Sequence, residues 1–190
     1  MGIWIGVAVV LFMLGCMMAL KPNVQEMRVD QMRMAARRLN LHPKLIACPS
    51  WVRGRNDEFG KGMIAQYSLN VKDQQFSEIC YQVEYGKLVI SGALKDDNEQ
   101  RAMVKKSLEG MSLELPEGMA SLIKAVYLKD NAVVVFWHDE SYMQSLSTAN
   151  YATQKSGATQ KSGAIQQVEQ DLEILKTQMQ LWSQRASDKR

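Results

Sequence analysis

The chain has 190 residues and a formal net charge of +3, with 23 Lys and Arg against 20 Asp and Glu. This near balance excludes a dedicated nucleic-acid binder, whose basic residues would dominate one face of the fold. The length leaves room for one modest domain plus appendages. The three cysteines, at positions 16, 48 and 80, form no CxxC pair, which favours packed, reduced thiols over a disulfide framework or a zinc site.

An uncharged apolar run from Ile3 to Leu20 opens the chain. As a helix it would be roughly 27 Å long, close to the hydrocarbon thickness of about 30 Å. The run predicts a transmembrane anchor over residues 1–21. Basic residues follow it, so the positive-inside rule predicts that the C-terminal side lies in the cytoplasm of a bacterial inner membrane. The residues expected to meet lipid headgroups are Lys21, Arg28, Arg33, Arg37 and Arg38.

A competing interpretation comes from Met13-Leu14-Gly15-Cys16, which approximates the site at which bacterial lipoproteins are cut and acylated. Cys16 would then be the mature N-terminus of a lipid-anchored periplasmic protein. The start, Met1-Gly2-Ile3, lacks the positive charge that a signal peptide normally carries before its apolar core. The anchor interpretation is therefore favoured, and the lipoprotein stays open as an alternative.

Residues 22–41 predict a basic juxtamembrane helix, from about Val24 to Leu39 and capped by Asn23. Met27, Met34 and Leu41 recur a heptad apart. Two interpretations fit this helix. It is either solvated with its basic face toward lipid headgroups, or its Met-rich stripe docks a partner helix, since Met side chains adapt to irregular surfaces.

Residues 42–146 predict an α+β domain with a small antiparallel sheet of about five strands and one or two covering helices. Lys129-Asp130-Asn131 is the clearest hairpin turn. The arm after it, AVVVFWH, is apolar on both faces, which predicts a central or helix-covered strand. A helix is expected over Asp97–Met111. The strand segments are Lys44–Cys48, Met63–Val71, Phe76–Tyr85, Leu88–Ser91, Leu122–Leu128 and Ala132–His138.

Residues 147–164 predict a linker, because the polar hexamer Ala152–Gly157 is repeated as Ala158–Gly163. Residues 165–186 then predict a helix with apolar a and d positions. This helix either pairs with a partner or a second copy, or folds back onto its own sheet, because three heptads are marginal alone. The predicted partner-binding residues are Met27, Met34, Trp137, Leu172, Leu175, Met179 and Trp182.

No motif in the sequence predicts catalysis, a cofactor or a metal. The loop Gly54–Gly62 resembles a phosphate-binding loop, but its glycine spacing is one residue too long and Gly62 occupies the position of the required Ser or Thr. The neighbours His138 to Ser141 cannot adopt the relay geometry of a hydrolase triad. We therefore expect no enzyme, and keep a membrane-tethered enzyme using His138 as an alternative.

The order of parts resembles a family of single-pass inner-membrane proteins of gammaproteobacteria that are labelled as similar to YajC, the small accessory subunit of the preprotein translocase. The features that carry the resemblance are Lys21-Pro22, Leu115-Pro116 and Phe136-Trp137-His138-Asp139. The part similar to YajC itself covers residues 1 to 40. The resemblance implies a non-enzymatic accessory or scaffold protein that presents a cytoplasmic domain to a membrane complex, and it assigns no functional residue.

Overall fold

The computed structural model describes residues 2–19, 23–72, 74–91, 108–153 and 161–187. These ranges hold helices α1 (Gly2–Ala19), α2 (Val24–Arg38), α3 (Glu117–Ala120), α4 (Asp139–Thr153) and α5 (Lys161–Ser187). The strands are β1 (Leu41–Ala47), β2 (Met63–Asn70), β3 (Phe76–Glu84), β4 (Lys87–Ile90), β5 (Ile123–Asp130) and β6 (Ala132–Trp137). The predicted α+β class is confirmed.

The six strands form one antiparallel sheet in the order β1-β2-β6-β5-β3-β4. Strand β6 lies in its interior, between β2 and β5, and Val133 to Trp137 are all buried. The prediction from its two apolar faces is thus confirmed. The sheet has six strands where about five were expected, and each of the six corresponds to one of the predicted strand segments; the short β4 pairs with β3 along its whole length.

The predicted hairpin of β5 and β6 forms, and β3 and β4 form a second hairpin. The β5–β6 turn places Asp130 at a φ of +48°, and the β3–β4 turn places Tyr85 at +50° and Gly86 at +73°. Asp and Gly tolerate this left-handed region better than most residues do, which is why these positions reverse the chain. Each hairpin joins two strands that follow one another in sequence, and residues 91–122 separate the first hairpin from the second.

One face of the sheet is covered by α2, α4 and α5, one helix more than expected. Helix α5 packs on β2 and β6, and α2 packs on β1 and on both other helices. The resulting core contains Tyr67, Trp137, Tyr142 and Trp182, each at most 1% exposed. The heptad helix therefore takes the fold-back arrangement of the two that its sequence allowed.

The opposite face is covered in part by the segment from Cys48 to Gly62. Val52 is completely buried there against Ile64 and Phe136. The Trp51 ring meets the Phe136 ring edge to face, with 5.5 Å between centroids, a favourable aromatic geometry. Trp51 and Val52 therefore pack against this face of the sheet, whereas residues 55–62 of the segment are exposed.

Two boundaries differ from those predicted. Helix α4 continues to Thr153 and α5 begins at Lys161, so the predicted linker over 147–164 is helical at both ends. No Gly or Pro interrupts the sequence between Asp139 and Thr153, which lets the helix continue. Residues 154–160 and most of the helix predicted over Asp97–Met111 lie outside the described residues, although Leu108 to Gly110 form a turn.

The apolar N-terminal run is helical, as α1. Among the helices of the described ranges, none has both the length and the apolar character needed to cross a membrane.

Candidate functional site

Helix α2 has one face in the core and one at the surface. Asn23 caps its start, because the amide of Gln25 donates a 3.2 Å hydrogen bond to Asn23 Oδ1. Met27 and Met34 remain 45% and 51% exposed. The face that packs against the core consists of Val29, Met32, Ala35 and Ala36.

A groove of about 600 Å³ separates the outer part of α2 from strand β1. Helix α2 contributes Asp30, Arg33, Met34 and Arg37, and β1 contributes residues 43–46. Met34 on α2 and Leu45 on β1 both line this groove, and Leu45 is 45% exposed. Each wall therefore presents an apolar side chain to solvent.

Strand β1 is the open end of the sheet. It pairs with β2 on one side, and in the described part of the chain no strand pairs with its other side. The opposite end is covered, because the amide of Leu88 donates to Met111 O at 2.9 Å and Gly110 donates to Leu88 O at 2.8 Å. One wall of the groove is thus a strand edge with backbone groups available for pairing.

The charge of the groove is positive. Arg37 and Lys44 are exposed, and Asp30 is the one acidic residue among those that line it. Arg33 also lines the groove, but its guanidinium is held by Asp139. A second cleft, of about 360 Å³, lies between α2 and the start of α4 and mixes acidic and basic side chains, so it favours no ligand charge.

Behind the groove, Asp139 joins α2 to the sheet. Its Oδ2 accepts a 2.8 Å bond from Arg33 Nε and a 3.4 Å bond from Tyr67 Oη. Asp139 is the first residue of α4 and its side chain is 3% exposed, so the positive end of the helix dipole adds to its stabilisation. The cluster fixes the orientation of α2, which is one wall of the groove.

The electrostatics of this cluster follow from its burial. The pKa of Tyr67 is raised well above its usual value, first by desolvation and then by the negative charge of Asp139. Burial lowers the pKa of Arg33, but the bond and the charge of Asp139 outweigh it, so the net shift is upward. Tyr67 therefore stays a neutral donor and Arg33 a cation at every physiological pH.

A second buried polar contact attaches α5. Tyr142 Oη on α4 donates a short hydrogen bond to Asp171 Oδ2 on α5. Burial, followed by this bond, raises the pKa of Tyr142 above its ordinary range. A partly exposed ion pair, Arg38 to Glu169 at 3.8 Å, joins α2 to the same helix. Helix α5 is thus held by polar contacts as well as by its apolar face.

The structure separates the predicted partner-binding residues into two groups. Met27 and Met34 are at the surface. The others lie inside the fold, where α5 and β6 meet, and a partner would reach them only if α5 left the sheet. The buried residues are Trp137, Leu172, Leu175, Met179 and Trp182.

The predicted headgroup-binding residues also divide. Arg37 and Arg38 are exposed and Arg28 is half-buried at the surface. Arg33 differs, because its side chain is 20% exposed and points to Asp139. The Arg33 guanidinium is thus engaged inside the protein, and its predicted lipid contact stays a prediction. Lys21 lies outside the described residues.

His138 and its neighbours do not assemble a catalytic group. The carboxylate of Asp139 is occupied by Arg33 and Tyr67. His138 Nε2 is buried and makes no hydrogen bond within the described residues. Burial, and then the charge of Lys124, lowers the pKa of His138. Among the described residues, no group of three or more His, Cys, Asp or Glu could hold a metal ion.

Cys48 and Cys80 are buried free thiols. Cys48 Sγ donates to Val52 O at 3.3 Å. Burial, and then the charge of Glu78, raises the pKa of Cys80 to about 12. Such a thiol stays protonated and is a poor nucleophile, so both residues act as small core side chains.

These raised pKa values predict alkaline sensitivity. Cys80, with a folded pKa of about 12, and Tyr127, also raised to about 12 by burial and Glu78, hold protons that the unfolded chain releases above about pH 9 to 10. We expect the free energy of unfolding to fall with rising pH above about 9, by up to about 1.4 kcal/mol per pH unit and group. Urea denaturation of the full chain in detergent checks this.

Cys80→Ala supplies the matched control for the alkaline effect. The variant should unfold with a shallower dependence on pH between about 9 and 12, because one of the titrating groups is gone. A pH dependence identical to that of the unmodified chain would show that Cys80 does not titrate abnormally.

The chain matches no protein-family model, no curated protein and no solved structure.

Proposed function

We propose that this protein is a non-enzymatic scaffold, held by α1 in a bacterial inner membrane, that presents its α+β domain to a membrane complex at the cytoplasmic face. One observation carries the proposal. Every side chain of α1 described from Ile3 to Cys16 is exposed, including Trp4 at 79% and Phe12 at 73%. An uncharged helix with apolar side chains on all sides is stable only in an apolar environment.

The apolar run as a whole supports insertion, although no described helix alone has the length and apolar character needed to cross a membrane. Helix α1 has 18 residues, or roughly 27 Å at about 1.5 Å each, and the apolar sequence continues past it to Leu20. A bilayer that is thin, or that becomes thinner around the helix, accommodates such a run at a modest cost in free energy. All backbone groups inside α1 are satisfied by the helix itself, as a membrane interior requires.

The basic residues after α1 support the cytoplasmic orientation of the domain. Lys21 follows the apolar run directly, and Arg28, Arg37 and Arg38 lie on the surface of the next helix. Basic residues near an anchor remain on the cytoplasmic side, where each gains on the order of 1 kcal/mol from anionic lipid.

The scaffold role rests on the open surface at α2 and β1. The groove with Met34 and Leu45 is a partly apolar surface beside a strand edge that no described strand covers. Proteins use such surfaces for association. We expect chemical crosslinking in native membranes to yield adducts larger than the monomer. A strictly monomeric pattern, at crosslinker doses that join known complexes in the same membranes, would overturn the scaffold role.

The alternative is a periplasmic lipoprotein, and the exposure of Cys16 on α1 is consistent with it. It predicts that the mature protein has lost residues 1 to 15 and carries acyl chains on Cys16. The intact mass of the protein purified from membranes distinguishes the two, because the anchored scaffold retains its N-terminal residues and an unmodified Cys16.

A further inference from the structure

We propose that the groove between α2 and β1 binds an extended acidic segment of a partner protein, which pairs with β1 as an added strand. This inference rests on the proposed scaffold function and names the chemistry of the partner. The proposal follows from three properties of the groove: a free strand edge, apolar side chains on both walls, and positive charge.

The free edge supplies the main-chain interaction. Strand β1 runs antiparallel to β2 from Leu41 to Ala47 and has no strand on its outer side in the described part of the chain. A peptide that adds to such an edge gains main-chain hydrogen bonds, and a helix beside the edge provides pockets for alternate side chains. Helix α2 lies in this position, because it packs on β1.

The apolar walls supply the side-chain contacts. Met34 lines the groove from α2, and Leu45 lines it from β1. Met34 and Leu45 remain about half exposed, although the neighbouring Met32 and Leu41 are fully buried. An alternating peptide places every second side chain on the same face, so one apolar residue of the ligand can lie between Met34 and Leu45.

The charge selects the ligand. Arg37 on α2 and Lys44 on β1 line the groove and are exposed, whereas Arg33 is held by Asp139. Asp30 is the one carboxylate among the residues that line the groove.

Lys44 follows Pro43 and precedes Leu45 in β1, so its side chain lies on the face of the sheet opposite that of Leu45. A second copy of β1, paired antiparallel in the register centred on Lys44, would bring two Lys44 side chains together, and like charges across a strand pair are unfavourable. An acidic segment avoids this repulsion: acidic side chains on one face of the added strand meet Lys44, and the positive charge of Arg37 adds to the attraction.

Pro43 limits the register of the added strand. It lies in β1 opposite Tyr67 and has no amide hydrogen to donate. Proline and lysine on an edge strand prevent indiscriminate pairing. The bound segment is therefore held chiefly by β1 on the C-terminal side of Pro43, next to Lys44 and Leu45.

The test uses the full chain in detergent micelles and a short fluorescent peptide in which glutamate alternates with valine. We expect saturable binding, measured by fluorescence anisotropy, and no binding of the same peptide with lysine in place of glutamate. Reversing both charges, Arg37→Glu with Lys44→Glu, should weaken binding about tenfold or more, because two ion pairs become repulsive. The matched control is Lys72→Glu, an exposed lysine outside the groove, which should change the affinity less than twofold.

Strand addition is tested with two N-methylated peptides. Methyl groups on the alternate amides that face β1 should abolish binding, whereas methyl groups on the opposite edge should leave it intact. The proposal would be overturned if both methylated peptides bound with equal affinity. It would also be overturned if the unmethylated peptide bound the charge-reversed variant as tightly as it binds the protein without these substitutions.

A fluorophore at Leu45→Cys distinguishes a lipid ligand from a peptide. The acidic peptide should change the emission of this fluorophore, and vesicles containing anionic phosphatidylglycerol should leave the emission unchanged. The opposite result would assign the groove to lipid and overturn the peptide proposal.

Photo-crosslinkers at Met34 and at Val89 on β4 separate this inference from the scaffold function. Adducts at Met34 support peptide binding in the groove. Adducts at Val89 alone refute binding in the groove but agree with the scaffold function. Adducts at neither position, together with a monomeric pattern in membranes, refute both.

Discussion

Trp182→Ala is expected to lower the free energy of unfolding by about 3–5 kcal/mol. Trp182 is completely buried between α5 and the sheet, in one core with Trp137 and Tyr142. Its Nε1 makes no hydrogen bond within the described residues, so the loss comes from packing and from the cavity left behind. Urea denaturation of the full chain in detergent, followed by circular dichroism, measures the change.

Leu181→Ala is the matched control. Leu181 is adjacent on α5 but 40% exposed, so its truncation should cost less than about 1 kcal/mol. The pair of variants also distinguishes the two arrangements of the heptad helix. If α5 paired with a second copy and did not cover its own sheet, Trp182→Ala would weaken the oligomer and leave the unfolding of the monomeric domain unchanged.

Asp139→Ala is expected to destabilise the fold by about 3 kcal/mol, because it leaves a partly buried Arg33 without its counter-charge and removes the acceptor of Tyr67. The neighbouring Glu140→Ala provides the control, since Glu140 is exposed and its loss should cost well under 1 kcal/mol. Thermal unfolding in detergent compares the two.

A double variant isolates the cause of this loss. Adding Arg33→Met to Asp139→Ala removes the orphaned charge and should restore part of the stability. If Asp139→Ala proved as mild as Glu140→Ala, the buried pair would not be what fixes α2.

Local patterns predicted much of this fold. The alternation of Met63 to Val71 predicted β2, and Asp130 marked the turn between β5 and β6. The apolar run of β6 predicted its interior position, because only a strand covered on both faces tolerates such a sequence. Asn23 was predicted as a cap and accepts the expected bond.

The site could not be predicted in the same way, because it depends on residues far apart in sequence. Arg33 and Asp139 are 106 positions apart, so the pattern of α2 alone made Arg33 look like one more surface cation. The groove likewise requires that β1 end the sheet with α2 beside it. Pro43 within β1 is typical of an edge strand, but nothing in β1 itself indicates which helix lies next to that edge. The heptads of α5 fitted two arrangements equally, and tertiary packing against β2 and β6 decided between them.

The topology of the full chain shows on which side of the membrane the α+β domain lies. Alkaline phosphatase and green fluorescent protein would be fused separately to Arg190 in a bacterial host. Our account predicts fluorescence without phosphatase activity, and protein that stays in the membrane through alkaline carbonate extraction. Phosphatase activity, or release of the protein by carbonate, would contradict an inner-membrane scaffold with a cytoplasmic domain.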